Sequence, residues 1–200
     1  YASNASITSY LLTESFRLST AASIKTGLFY KDKLTSVQQD FMSVSSSEKF
    51  KSLVVSDRSS KLAFIPLISD GNMPLSAIDF IVELILDILA NNPGIEIAVL
   101  APFRATVLAL QEKLGERIED FSALTVETID RIQGLTVDFT VFLLALNNPS
   151  FAMNINRFNV ATSRAKSGTL IITDQEYVRF MGIHPLVTKY LASLEVIYLR

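Results

Sequence analysis

Residues 61–101 read KLAFIPLISDGNMPLSAIDFIVELILDILANNPGIEIAVLA, and the change of apolar period within them sets the fold class. Leu62 to Ile68 is a short apolar run that suits a strand, and Ile95 to Ala101 is another. Between them, Leu75 to Leu89 repeats its apolar positions every three to four residues, as an amphipathic helix does. The segment PFRATVLALQEKL (102–114) continues the alternation, with a second helix over Thr106 to Leu114. Strand, helix, strand, helix is the order of a parallel sheet, because parallel neighbours need a crossover long enough to hold a helix.

Working outward, a short strand fits Leu124 to Val126, a buried strand Asp138 to Leu146, a helix Asn156 to Lys166 and a further strand Thr169 to Thr173. Upstream, Gly27 to Ser60 is rich in Ser and Lys with weak periodicity, so residues 27–60 are expected to be irregular or partly mobile. No internal repeat is evident. One domain is expected over residues 11–200. The opening residue is Tyr1 rather than Met, so residues 1–10 read as the start of a fragment, with Ser3, Asn4 and Ala5 suggesting an expression scar.

Composition narrows the function. A chain of 200 residues with 49% hydrophobic and 19% charged residues can bury a sizeable core. Its net charge of −2 is too small for strong sequence-independent binding to nucleic acid. The charge is uneven, at +3 over residues 1–61, −8 over 62–150 and +3 over 151–200, so the ends can face something anionic. The chain has no Cys and a single His, His184, which excludes disulfides, thiolate nucleophiles, zinc sites and a Cys-His pair. The longest apolar stretch, Ala77 to Ala90, is broken by Asp79, Glu83 and Asp87, which fall on one helix face and argue against a transmembrane span. No basic segment followed by an apolar run suggests a leader, so an intracellular protein is expected, cytoplasmic or nuclear, with no membrane partner.

A nucleotide-binding domain that works alone usually carries a glycine-rich turn whose amides surround phosphate, followed by Lys and Ser or Thr. The seven glycines here are too scattered to form either GxGxxG or GxxxxGK[ST], and no adjacent Asp-Glu pair stands ready for magnesium. The parts that start phosphoryl transfer are missing, while arginines in a setting that can finish it are present. On an uninterrupted helix over 156–166, Arg157 and Arg164 would lie about 20° apart and about 10 Å along the axis, facing one cleft, with Lys166 pointing elsewhere. Helix geometry alone is equally served by a solvated, ion-paired face.

The stretch NRFNVATSRAK (156–166), followed by SGTLIITD, closely resembles the last motif of superfamily-one helicases, above all the nonsense-mediated-decay and nidovirus helicase branch. Upstream, TIDRIQGLTVDFTVFL (128–143) resembles that family's fifth motif, AVLAPFRATVLALQEKL (98–114) its fourth, and LLTESFRLS (11–19) the aromatic-Arg segment that opens the second motor domain. The motifs stand in family order. The sequence departs from the decay-helicase pattern at Thr136, where Glu is usual, and from the nidovirus pattern at Arg104 and Thr106, where amides are usual.

The resemblance implies an α/β, RecA-like domain of the P-loop NTPase type, with a mainly parallel sheet, helices on both faces and no P-loop of its own. It implies ATP with Mg2+ bound jointly with a first RecA-like domain of the same parent chain, and single-stranded DNA or RNA as the track. By position, Arg164 and Arg17 would reach the γ-phosphate, Phe16 would stack on adenine, and Gln133 and Gly134 would sit beside the nucleotide. Thr128, Asp130, Pro102, Phe103, Arg104 and Arg157 would face the nucleic acid.

The implied function is the C-terminal motor domain of an ATP-dependent helicase or translocase, inactive in isolation. The alternatives are a non-catalytic RecA-like module that binds nucleic acid or a partner, and an unrelated doubly wound enzyme. His184, next to Pro185, reads as structural. The stripe Asp79, Glu83 and Asp87 reads as a solvated face rather than a cation site, and Lys31, Lys33, Lys49 and Lys51 as surface lysines.

Overall fold

A computed structural model describes residues 13–37, 43–54, 60–66, 69–70, 73–132, 134–144, 149–179 and 183–199. Its strands are β1 (Glu14–Ser15), β2 (Thr35–Ser36), β3 (Lys61–Phe64), β4 (Ser69–Asp70), β5 (Met73–Pro74), β6 (Ile97–Ala101), β7 (Leu124–Thr128), β8 (Val137–Leu143), β9 (Ala165–Thr173) and β10 (Glu195–Tyr198). The helices are α1 (Thr20–Gly27), α2 (Leu75–Asn91), α3 (Arg104–Gly115), α4 (Pro149–Ala152), α5 (Ile155–Thr162), α6 (Gln175–Val178) and α7 (Pro185–Ala192), with single 3-10 turns over Leu28–Tyr30 and Ile129–Arg131. The central sheet has six strands in the order β10-β3-β9-β8-β6-β7, every neighbouring pair parallel. This is the parallel α/β sheet expected from the alternation in the sequence, and the RecA-like fold that the motif resemblance implied.

Strand side chains alternate between faces, and both faces are buried. Ile97, Val99 and Ala101 of β6 join one apolar layer with Val141, Leu143, Leu170 and Ile172, under Ile78, Ile81, Leu84 and Ile85 of α2 and Val107 and Leu110 of α3. Ala98 and Leu100 face the other way, joining Phe142, Ile171, Phe158 and Ala161 of α5, and Val187, Tyr190 and Leu191 of α7. Helices therefore cover both faces. A register shift between Val137 and Phe139 reverses the parity of β8, so Val137 lies in the second layer and Phe139 in the first. Each fully buried Ile or Leu of α2 contributes about 1.5–3 kcal/mol, which makes this helix a main support of the sheet.

The polar stretch upstream of β3 is irregular but packed. Phe50, Leu53 and Val54 insert into the first layer, and Asn92 at the end of α2 holds Ser45 from both sides. Its Oδ1 accepts from the Ser45 N–H at 2.7 Å, and its Nδ2 donates to the Ser45 carbonyl at 2.7 Å. The acidic stripe of α2 is not merely solvated. Asp79 pairs with Lys113, Glu83 lies 3.7 Å from Arg117 and 3.9 Å from Lys49, and Asp87 accepts from the Ser47 N–H at 2.9 Å. His184 caps α7, its Nδ1 accepting from the Leu186 N–H at 3.1 Å.

The expected helix over Asn156–Lys166 is shorter. It ends at Thr162, and β9 begins at Ala165. Two effects stop it. The nine-residue strand β9 is buried along almost all its length, so residues from Ala165 onward are worth more in the sheet. The Arg164 side chain also turns back, its Nε donating to the Val160 carbonyl at 2.9 Å and so capping one of the carbonyls that a helix end leaves bare. Strand β3 likewise stops at Phe64, short of the Ile68 expected from the apolar run; residues 67–68 lie outside the described ones.

Candidate functional site

The sequence-selected residues fall into two groups at opposite ends of the parallel strands. At the amino end, Arg164 leads into β9 and Arg17 leads into α1. The Ser19 N–H donates to the Lys166 carbonyl at 3.0 Å, and this bond draws the Arg17 segment onto the start of β9. The Val137 N–H donates to the Arg164 carbonyl at 3.2 Å, which brings the turn containing Gly134 alongside. Gly134 holds φ +88°, a left-handed conformation that suits glycine, with no atom of the described residues within 4 Å of a Cβ built on it. Gln133 lies outside the described residues. Phe16 is 71% exposed, its ring bare beside Arg17.

Arg164 is half-buried. Burial holds its proton affinity below the ordinary guanidinium range, the charge of Arg17 lowers it further, and Tyr30 opposes both. Besides the bond to Val160, its Nη2 donates to the Ser163 Oγ at 3.2 Å. Among the described residues, neither Arg17 nor Arg164 has a carboxylate within ion-pair distance. Lys166 does: it sits 2.8 Å from Asp138 and 3.9 Å from Glu96, and is neutralised there. The result is two neighbouring guanidinium groups with uncompensated charge, an arrangement suited to an anion with several oxygens.

The second group sits at the carboxyl ends of β6 and β7 and the start of α5. Asp130 takes a forked contact from Arg157, Nε to Oδ1 at 3.0 Å and Nη2 to Oδ2 at 3.3 Å. The same guanidinium lies over the ring of Phe151, 3.9 Å from its centroid, and Phe151 stacks on Phe103 with centroids 5.7 Å apart and planes 20° from parallel. Pro102 is buried in the turn between β6 and α3. Arg104 and Thr128 line one shallow cleft with Gln111 and Arg131. Arg131 is partly neutralised by Glu127 at 3.3 Å.

One expectation needs correction. Arg157 and Arg164 do not share a helical face or a cleft, because α5 ends between them: Arg157 is held by Asp130 near the carboxyl end of β7, while Arg164 lies at the amino end of β9. The partner of Arg164 is Arg17, far away in sequence. Tyr30, Asn159, Phe151 and Arg131 also stand in these two groups. Arg131 and Asn159 lie inside quoted motifs, whereas Tyr30 and Phe151 carry no local signal and are brought to the site by the fold.

The sheet is that of a RecA-like α/β domain, and its motifs, in their order, resemble those of the second motor domain of superfamily-one helicases. The sequence profile of the AAA domain family matches residues 1–176, and the chain belongs to that family. Among curated relatives it is 30% identical over 105 residues to the replicase polyprotein 1ab of Bat coronavirus HKU9. It is 32% identical over 108 residues to that of Murine coronavirus strain JHM. These segments cover 52% and 54% of this chain but only 1% of each polyprotein, so the chain spans a very small part of those relatives. Among solved structures, the C-terminal domain of a possible DNA helicase from Lactobacillus plantarum WCFS1 superposes with a TM-score of 0.54 at 13% identity, covering 92% of this chain and 98% of that one. That likeness is one of fold. Among the described residues, no helix is long and apolar enough to cross a membrane, and no cluster of His, Asp and Glu could hold a metal ion.

Proposed function

We propose that this domain is the C-terminal half of an ATP-dependent helicase or translocase, and that Arg17 and Arg164 act on the γ-phosphate of ATP held chiefly by a first RecA-like domain. The observation that carries this reading is the pair of neighbouring guanidinium groups without a carboxylate between them. Phosphoryl transfer spreads negative charge over the γ-oxygens, and a planar guanidinium meets two of them at once. Phe16 offers an open ring face for the adenine, and Gly134 lets the backbone approach the nucleotide closely. The magnesium ligands would come from the partner domain, as no acidic cluster of this chain suits them among the described residues.

Phe103, Arg104 and Thr128 would contact single-stranded DNA or RNA at the other end of the strands. Arg157 and Asp130 engage each other in the free domain, so a phosphate contact from Arg157 requires that pair to open. Closure around ATP and reopening after hydrolysis would then move the strand. The domain alone would not turn over ATP. Arg164→Ala in the full-length protein tests the reading: nucleic-acid-stimulated turnover should fall by at least about 10²-fold while ATP binding falls less. Wild-type turnover would remove Arg164 from the mechanism.

A further inference from the structure

Arg17 and Arg164 are carried by separate pieces of chain, and two like charges held together repel. Something must hold the pieces in register. The segment bearing Arg17 runs on through α1 to the 3-10 turn Leu28–Tyr30, and α5 runs on to Arg164. Near the guanidinium groups a side-chain hydrogen bond joins the two pieces: Asn159 Nδ2 donates to the Tyr30 hydroxyl at 3.3 Å. Asn159 lies one residue before Val160 and four before Ser163, the two residues that accept from the Arg164 guanidinium.

The backbone behind Tyr30 supports a positioning role. Lys31 and Asp32 both take left-handed conformations, φ 57° and 56°. Neither is glycine, and each such conformation persists only where the surrounding structure over-determines it. Here the Asp32 N–H donates to the Gly27 carbonyl at 2.9 Å and the Lys33 N–H to the Tyr30 carbonyl at 3.2 Å, closing the turn tightly behind the ring. Phe29 packs beneath it against Phe158 and Tyr190, which leaves Tyr30 directed outward at the edge of the arginine pair. The Oδ1 of Asn159 is buried with no hydrogen-bond partner among the described residues, so the Nδ2 contact to Tyr30 is the side-chain amide's bond here.

We infer that Tyr30 and Asn159 are positioning residues that bracket the segment carrying Arg17 against α5 and thereby aim Arg164. The inference rests on the assignment of Arg164 to phosphate proposed above. In the full-length protein, Tyr30→Phe and Asn159→Ala should each lower stimulated kcat about tenfold with KM for ATP within about twofold, and the double variant should fall no further than the worse single one, because all three remove one bond. In the 200-residue chain carrying 15N-labelled arginine, the Arg164 Nε–H resonance, identified by its loss in Arg164→Lys, should shift and exchange faster with water in both variants.

Wild-type kcat in both variants, losses that multiply in the double variant, an unmoved Arg164 resonance, or a kcat loss that merely tracks a lower melting temperature would each overturn the inference. Wild-type turnover in Arg164→Ala would overturn the phosphate assignment instead. The resonance measurement needs neither ATP nor the partner domain, so the two failures are distinguishable.

Discussion

Arg17 lies close enough to Arg164 to depress its proton affinity, although roughly a hundred and fifty residues of chain separate them. This arrangement does not favour folding. It brings together two cations, one of them half-buried, with no carboxylate between them among the described residues. Among the described residues several other cations are paired, Lys166 with Asp138, Arg157 with Asp130 and Lys113 with Asp79. Two adjacent guanidinium groups without a carboxylate are what the proposed role in binding phosphate requires.

Replacing Arg17 by Glu should therefore make the isolated domain slightly more stable, by up to about 1 kcal/mol, since a partly exposed like-charge contact becomes an ion pair. The same change should abolish stimulated ATPase in the full-length protein, because a carboxylate would then occupy the place meant for phosphate. Urea unfolding checks the first outcome and steady-state turnover the second. A destabilised, fully active variant would show that Arg17 is ordinary surface.

Arg164→Lys separates charge from shape. Lysine keeps the charge but loses the planar fork and the Nε–H that caps α5. Turnover should fall by about 10²-fold or more, as for removal of an arginine finger, and the domain should lose about 0.5–1.5 kcal/mol from the lost bond to the Val160 carbonyl, which keeps only the longer one from the Ser163 hydroxyl. Kinetics and urea unfolding on one variant check both figures.

The sheet was legible because its signal is local. The apolar run ending in Ile97–Ala101 and the helical repeat of Leu75–Asn91 each need only neighbouring residues, and these elements stand within two residues of where the sequence pattern puts them. The end of α5 was not legible, because Ala-Thr-Ser-Arg-Ala favours continuing a helix and only the tertiary demand of β9 overrides it. The convergence of Arg17 on Arg164 depends on the Ser19 to Lys166 backbone bond, and the Phe103–Phe151 stack on packing across the carboxyl ends. Such pairings leave no periodic trace. Helix geometry gave Arg164 the wrong neighbour, because α5 ends before it.

Gly134 tests whether a motif glycine is needed for conformation or for space. Its φ of +88° disfavours any residue with a Cβ, yet among the described residues no atom lies within 4 Å of where that Cβ would stand. Gly134→Ala should thus cost the isolated domain about 1–2 kcal/mol through backbone strain alone. If nucleotide approaches this turn, the loss in ATP affinity of the full-length protein should exceed what that instability explains. Melting and nucleotide titration on the same variant separate the two effects.

The Asp130–Arg157 pair should act as a brake on nucleic-acid binding. It is largely exposed, so breaking it should cost the fold less than about 1 kcal/mol. Asp130→Ala should free Arg157 for a phosphate, tightening binding of a single-stranded oligonucleotide and steepening the dependence of log K on log salt by about one. Arg157→Ala should leave binding near wild type. Fluorescence anisotropy across a salt series checks this, and weaker binding by Asp130→Ala would show that the carboxylate itself touches the strand.

Tyr190 should set the alkaline limit of the fold. It is wholly buried, and burial pushes its phenol above the ordinary value, against the weaker opposing pull of hydrogen bonds with Ser60 and Thr162. In the unfolded chain the phenol titrates near pH 10. Between that pH and the raised folded value, the unfolded state has lost a proton that the folded state keeps. Stability contributed by Tyr190 is therefore complete below about pH 10 and falls above it, by at most about 1.4 kcal/mol per pH unit. Tyr190→Phe removes this titration and also a buried hydrogen bond worth about 1 kcal/mol. The variant should be the less stable at pH 8, and its deficit should shrink or reverse by pH 11. Urea midpoints at the two pH values decide the matter, because the other tyrosines and the lysines titrate equally in both proteins and cancel in the difference. A constant deficit across that range would mean that the phenol ionises without cost in the folded core.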